Sequence, residues 1–206
     1  MAGNPIVHII DDDESLRAAL DSLFRSTGLE TRLYESVAAF LGGAEAAAGP
    51  GCLVLDVRLP GMSGLDFQHR LEELGVRLPA VLMTGHGDIP MTVRAMKAGA
   101  IDFLAKPFRD QEMLDAVAAA LEADRRRRVE DGKLDGLKTA YATLSPRERQ
   151  VMALVVAGRL NKQVAGELDL SEITVKIHRG SAMRKMGAKT LADLVRMAES
   201  LRIAPE

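Results

Sequence analysis

The sequence predicts an α/β domain, a five-stranded parallel sheet doubly wound with helices, followed by an all-α domain of four helices. Three observations predict it. Short apolar runs alternate with amphipathic helical stretches five times in about 120 residues, the mark of βαβ units and a parallel sheet. From residue 144 onward the periodic stretches are all helical. The charge also changes sign between the two regions. Residues 1–122 carry 18 acidic and 10 basic side chains, net −8, and residues 123–206 carry 11 and 17, net +6. An acidic front and a basic back imply different partners, with nucleic acid the natural candidate for the back.

The first strand is "PIVHII". Residues 14–27 then place Leu16, Ala19, Leu20, Leu23 and Phe24 at helical spacing, and Gly28 offers a C-cap. "ETRLYE" is the second strand and "VAAFLGGAEAAAG" a short helix ending in glycine. "GCLVLDV" is a continuous apolar run, as expected of a strand covered on both faces. "GLDFQHRLEEL" is a helix stopped by Gly75, "PAVLMT" a fourth strand, "IPMTVRAMKAGA" a helix stopped by Gly99 and "IDFL" a fifth strand. A helix from Gln111 carries Met113, Leu114, Val117 and Leu121 on one face.

Residues 123–143 form a linker between domains at 1–122 and 144–206. It holds four consecutive arginines, Arg125 to Arg128, which suit the solvated end of a helix better than a phosphate site. Gly132 and Gly136 each weaken helix by ~1 kcal/mol, which suits a hinge. Leu134, Leu137, Tyr141 and Leu144 keep a spacing that suits a helical or coiled-coil pairing instead. In "LSPRERQVMALVVAG", Ser145 at the N-cap, Pro146 at the next position and Glu148 at the third form a capping box. "NKQVAGELDL" is the second helix, "SEITVKIHRGSAMRKMG" the third, with Ser171 its cap and Gly187 its stop, and "LADLVRMAESL" the fourth.

In a parallel α/β sheet, ligands bind outside the carboxyl ends of the strands. Asp11, Asp12 and Asp13 follow strand one, Asp56 ends strand three, Thr84 ends strand four and Lys106 follows strand five. These groups should therefore converge on one edge. Adjacent carboxylates repel, and a hard dication such as Mg²⁺ would relieve that repulsion. A carboxylate nucleophile needs no general base, so Asp56 suits phosphoryl acceptance. Lys106 offers positive charge and Thr84 a hydroxyl to the incoming oxygens. The triplet alone would equally suit a helix N-terminus, where Asp13 is the natural cap. The single cysteine, Cys52, excludes disulfides within the chain, fits a reducing compartment and reads as core. No apolar run reaches the ~20 residues of a membrane span, and no secretory signal is visible, so a cytoplasmic location is expected.

The motifs "DDD" after strand one, "LVLDVRLPGMSG" around Asp56, "MTGHGD" at Thr84 and "DFLAKPF" at Lys106 occur in order over residues 5–122. Together they resemble the receiver domain of two-component response regulators, a flavodoxin-like fold. The resemblance implies that Asp12, Asp56 and the backbone carbonyl of Arg58 hold Mg²⁺, with Asp11 in the acidic pocket. It implies that Asp56 accepts phosphate from a sensor histidine kinase and that the Lys106–Pro107 peptide is cis. Thr84 and Phe103 would form the switch. Phe103 stands where many relatives have tyrosine, so no hydroxyl is available to a hydrogen-bonded form of it. Arg58 and His86 flank the pocket and bear on the lifetime of the phosphoryl group.

The second and third helices of the basic half, joined by "DLS", fit a helix-turn-helix, the third bearing Thr174, Lys176, His178, Arg179, Arg184 and Lys185. Ile173, Val175 and Ile177 cannot all face inward on one helix, so at least one should point outward, toward a thymine methyl for instance. Residues 144–200 resemble the LuxR/FixJ/NarL-type DNA-binding domain, and the order and spacing of both halves resemble the FixJ subgroup. This implies DNA contacts from Asn161, Lys162, Thr174, Lys176, Ile177, His178 and Arg179, and a homodimer on paired half-sites when phosphorylated.

The chain is thus expected to be a phosphorylation-dependent transcriptional regulator. As an enzyme it would catalyse only its own phosphoryl transfer and autodephosphorylation. A HAD-like phosphatase would need a second aspartate two residues after the nucleophile, where Arg58 stands. A constitutive DNA-binding protein with a degenerate receiver is disfavoured by intact Asp12, Asp56, Thr84 and Lys106.

Overall fold

The computed structural model describes residues 4–43, 49–85 and 89–203; His86 and the "AEAAA" of the second expected helix lie outside them. The chain forms two compact units, Met1–Arg127 and Arg128–Glu206. The first holds the strands β1 (Ile6–Ile10), β2 (Glu30–Tyr34), β3 (Gly51–Asp56), β4 (Ala80–Thr84) and β5 (Asp102–Ala105). They pair in parallel in the order β2-β1-β3-β4-β5. The helices α1 (Glu14–Ser26), α2 (Val37–Gly42), α3 (Gly64–His69), α4 (Ile89–Lys97) and the start of α5 (Asp110–Ala142) complete it.

All six residues of β3 are buried, because the strand is covered on both faces. Leu53 and Leu55 pack with Phe40, Phe67 and Ala95. Cys52 and Val54 pack with Leu20, Phe24, Met113 and Val117 of α1 and α5 on the other side. Burial pushes the Cys52 thiol up to about 12, so it is an inert core group. The chain steps from β1 to β2 on one side and to β3 on the other. The ends of β1 and β3 therefore border the crevice where such sheets bind ligands.

One element differs from the periodicity, and another decides between two readings that the sequence left open. The regular part of α3 ends at His69, and the rest of "GLDFQHRLEEL" continues as turns. Its tighter bonds run from the amides of Arg70 and Leu71 to the carbonyls of Phe67 and Gln68, three residues back. Leu71 and Leu74 still reach the core. In the linker, α5 runs through Gly132 and Gly136 without a break. Its last turns bury Leu137, Ala140 and Tyr141 against the second unit's own core, which offsets the low helix propensity of the two glycines. Of the arginine run, Arg125 pairs with Glu122, and Arg127 pairs with the buried Asp124, whose other oxygen accepts from the Gly51 amide.

The second unit adds α6 (Pro146–Val156), α7 (Asn161–Leu168), α8 (Glu172–Met186) and α9 (Leu191–Ser200). Ser145 and Glu148 form the expected capping box of α6, and Ser171 caps α8. The Glu148 carboxylate, 6% exposed, does more than cap. It accepts from the Ser145 amide and Lys185 Nζ at 2.7 Å each and from the Ser181 hydroxyl at 2.6 Å, tying α6 to α8. Lys185, the Ser181 hydroxyl and the Ser145 amide hold this carboxyl down at about 2, below its usual 4.5. A carboxyl lowered by folding stabilises fully above its unfolded pKa and loses that contribution as pH falls from about 4.5 toward 2. Glu148→Gln should cost about 2 kcal/mol at neutral pH. It should also flatten the acid limb of stability, read by urea denaturation with amide exchange in α6 and α8. An unchanged acid limb would refute this role.

Candidate functional site

At the carboxyl edge of the sheet, Asp11 is fully buried, Asp56 is 6% exposed and Asp12 faces solvent. Lys106 Nζ donates to Asp11 Oδ2 at 2.7 Å and to Asp56 Oδ2 at 2.6 Å. The other oxygens are held by backbone: Asp11 Oδ1 accepts from the Asp13 amide at 2.8 Å and Asp56 Oδ1 from the Arg58 amide at 2.9 Å. Asp13 itself caps α1, accepting from the amides of Ser15 and Leu16. Only two of the three adjacent carboxylates therefore join Asp56.

Burial, the largest influence on Asp11, raises its pKa against the opposing pull of Lys106. For Lys106 burial acts downward. The hydrogen bonds and charges of Asp11 and Asp56 outweigh it and hold the ammonium above its ordinary value. The pocket thus concentrates negative charge around one cation. One ligand oxygen from each of Asp11, Asp12 and Asp56 lies within 4.8 Å of the others. Hard oxygen donors at this spacing fit a Mg²⁺ ion.

Thr84 is fully buried at the end of β4, and its carbonyl accepts from the Lys106 amide at 2.7 Å. Phe103 lies further back, opposite Leu82 in the sheet register, half-buried in the cluster that includes Met91 of α4. The Lys106–Pro107 peptide is cis.

In the second unit, Asp169 adopts a left-handed conformation at the end of α7 and turns the chain into α8. Val175 is buried between α7 and α6, whereas Ile173 and Ile177 are 72% and 64% exposed. Lys162 and Lys176 are exposed, and Asn161, Thr174, His178 and Arg179 are partly so. Arg179 Nη1 donates to Asn161 Oδ1 at 3.3 Å, and the Thr174 hydroxyl bonds the Ser171 hydroxyl at 2.8 Å. Lys185 turns inward to Glu148.

Residues 7–118 match the response regulator receiver domain, and residues 142–198 match bacterial regulatory proteins of the luxR family. The chain belongs to the response regulators. It is 57% identical to nodulation protein W of Bradyrhizobium diazoefficiens over 97% of this chain and 87% of that protein. It is 49% identical to response regulator protein TodT of Pseudomonas putida, covering 96% and 86%. The solved structure of response regulator StyR superposes with a TM-score of 0.83 at 45% identity, covering 96% of this chain and 99% of that one. This response regulator therefore joins a receiver to a LuxR-type DNA-binding domain and is a transcriptional regulator of the two-component type, not a classical enzyme. The family implies a histidine kinase and promoter DNA as partners, and receivers of this kind bind Mg²⁺ through acidic residues. Among the described residues, no helix is long and apolar enough to cross a membrane.

One residue of the response regulator escaped the sequence reading, and a second, Lys185, has a role that the reading missed. Gly64 packs so closely on β3 that a Cβ there would sit 2.0 Å from the Asp56 carbonyl oxygen. Its amide donates to the Val57 carbonyl at 3.0 Å. The glycine in "MSGLDF" was visible, but the close approach is a tertiary fact. Lys185 looked like a groove-facing cation, and only the fold supplies its carboxylate partner.

Proposed function

We propose that Asp56 accepts a phosphoryl group from a histidine residue of the partner kinase. The P–N bond to the donor imidazole breaks as a P–O bond to an Asp56 carboxylate oxygen forms. The observation that carries this is the Lys106 ammonium, bonded at once to Asp56 and to buried Asp11 at the sheet's carboxyl edge. It orients Asp56 and offers fixed positive charge to the arriving phosphoryl oxygens. The Thr84 hydroxyl bonds those oxygens as well. Asp12, Asp56 and the Arg58 carbonyl would hold Mg²⁺ beside Asp11, and the ion supplies charge neutralisation. Hydrolysis of the aspartyl phosphate in the same pocket resets the protein. An apolar groove from Leu16, Leu20 and Leu23 to Pro107 and Phe108 opens beside Lys106 and suits the docking kinase.

The response passes through Thr84 and Phe103 to α4, whose Ile89, Val93 and Met96 are exposed apolar side chains suited to pairing with a second copy. Residues 1–122 form the receiver, 123–143 the helical linker and 144–206 the DNA-binding domain of a protein working in the cytoplasm. The phosphorylated dimer binds promoter DNA through Asn161, Lys162, Thr174, Lys176, Ile177, His178 and Arg179. Footprinting with and without acetyl phosphate tests this. Protection that ignores the donor would sink the phosphate-dependent part.

Phe103→Ala should leave phosphorylation of Asp56 intact while shrinking the phosphate-driven gain in DNA affinity by roughly five-fold. Mass spectrometry and binding titration on the same sample separate the two effects. An undiminished gain would remove Phe103 from the switch.

A further inference from the structure

Asp11 is held at its amide, its carbonyl and both side-chain oxygens. The amide donates to the Tyr34 carbonyl, at the end of β2, at 3.2 Å. The side-chain oxygens accept from the Asp13 amide and from Lys106. The contact to the carbonyl comes from α1. Arg17, half-buried, donates from Nη1 to the Asp11 carbonyl at 2.6 Å.

That contact does nothing for α1 itself. Helical side chains lean toward the N-terminus of their helix, and a cation there opposes the helix dipole. The arginine instead holds one carbonyl oxygen, which belongs to the peptide joining Asp11 to Asp12. A peptide is planar. With the Asp11 Cα fixed by the amide and side-chain bonds, the direction of its carbonyl sets the plane and with it the Cα of Asp12. Asp12 faces solvent, so the place of its carboxylate depends on that plane rather than on burial.

We infer that Arg17 is a positioning residue for the phosphorylation site. Its grip on the Asp11 carbonyl keeps Asp12 beside Asp11 and Asp56, where one oxygen of each lies within 4.8 Å of the others, ready for Mg²⁺. The inference rests on the magnesium reading above and adds the side chain that organises that site. Charge and position predict opposite signs. By charge alone, losing a cation beside an acidic pocket would tighten the binding of a dication. By position, the loss weakens binding, since groups that orient metal ligands are worth about 10- to 100-fold in affinity.

The test is a Mg²⁺ titration of the full-length, unphosphorylated protein. It is followed by the amide resonances of Asp13 and Arg58, which bond Asp11 and Asp56. Arg17→Ala should bind Mg²⁺ about ten-fold more weakly than the parent. Arg17→Lys, which keeps the charge and a donor, should fall between the two. Arg25→Ala removes a cation of the same helix that pairs with Asp21, and should leave the affinity unchanged. In phosphorylation by acetyl phosphate, Arg17→Ala should need more Mg²⁺ for half-maximal rate, while its rate at saturating Mg²⁺ holds. Affinity equal to or tighter than the parent's in Arg17→Ala overturns the inference and leaves the metal site standing. So does an equal loss in Arg25→Ala. If urea denaturation shows Arg17→Ala unfolded, Arg17→Lys decides alone, and parental affinity there overturns the inference. A parent that binds no Mg²⁺, or Asp12→Asn binding it as tightly as the parent, overturns the inference together with the magnesium reading.

Discussion

Asp56→Asn should abolish phosphorylation by acetyl phosphate or by a kinase, and with it the phosphate-driven gain in DNA affinity. The amide oxygen is a poor nucleophile, and among the described residues no other carboxylate combines Asp56's position with its contacts. Asp11 is fully buried and bonded to Lys106 and to the Asp13 amide, whereas Asp12 faces solvent. The lost coupling should fall in the range of about 5- to 150-fold that links two sites in one protein. Folding should survive. Asparagine still accepts from the Arg58 amide, Lys106 keeps Asp11, and one negative charge leaves a site where burial already disfavours charge on Asp11. The variant should thus be at least as stable as the parent when Mg²⁺ is absent. Intact-mass measurement, urea denaturation and DNA titration read the three parts. A phosphoryl adduct persisting in the variant would falsify the assignment of Asp56.

Gly64→Ala should destabilise the first unit by about 3 kcal/mol or more, because the neighbour it meets is backbone. The new Cβ would lie 2.0 Å from the Asp56 carbonyl oxygen and 2.9 Å from the Leu55 Cγ. Neither the end of β3 nor the start of α3 can swing away as a flexible side chain would. The Gly64–Val57 hydrogen bond locks the two together. Relief requires moving the strand end that carries Asp56, so the rate of phosphorylation should fall as well. Gly180→Ala makes the same chemical change with open space around the Cβ. It should instead stabilise α8 by about 1 kcal/mol through helix propensity. Denaturation of both variants beside the parent checks the contrast, which fails if the two shifts share a sign.

The acidic site was legible in the sequence because its members sit at the ends of strands, where the chain's own periodicity places them. "IIDD", "LVLD" and "VLMT" each run apolar to the end and then present a polar group. The rule that parallel sheets bind ligands at their carboxyl edge did the rest. The division of labour within "DDD" was partly legible, since Asp13 precedes an amphipathic helix as a cap should. The length of α3 was not, and local spacing left the linker open between a hinge and a helix. Helix propensity is worth about 1 kcal/mol per residue at most for residues other than proline, and packing outweighs it. Burial of Leu137, Ala140 and Tyr141 carries the helix past two glycines that read as a hinge.

Chain order alone specified the two fold classes, the capping residues and the converging polar groups. Each of these follows from local periodicity or from a side chain bonding its own neighbouring backbone. Folding in three dimensions decided which charges are used internally and which face outward. Lys185 meets Glu148 from 37 residues away, Lys106 meets Asp11 across 95, and Ile173 and Ile177 stay exposed while Val175 is buried. Those outcomes depend on contacts between distant segments, and a carboxylate or a neighbouring helix that arrives from elsewhere leaves no trace in local spacing.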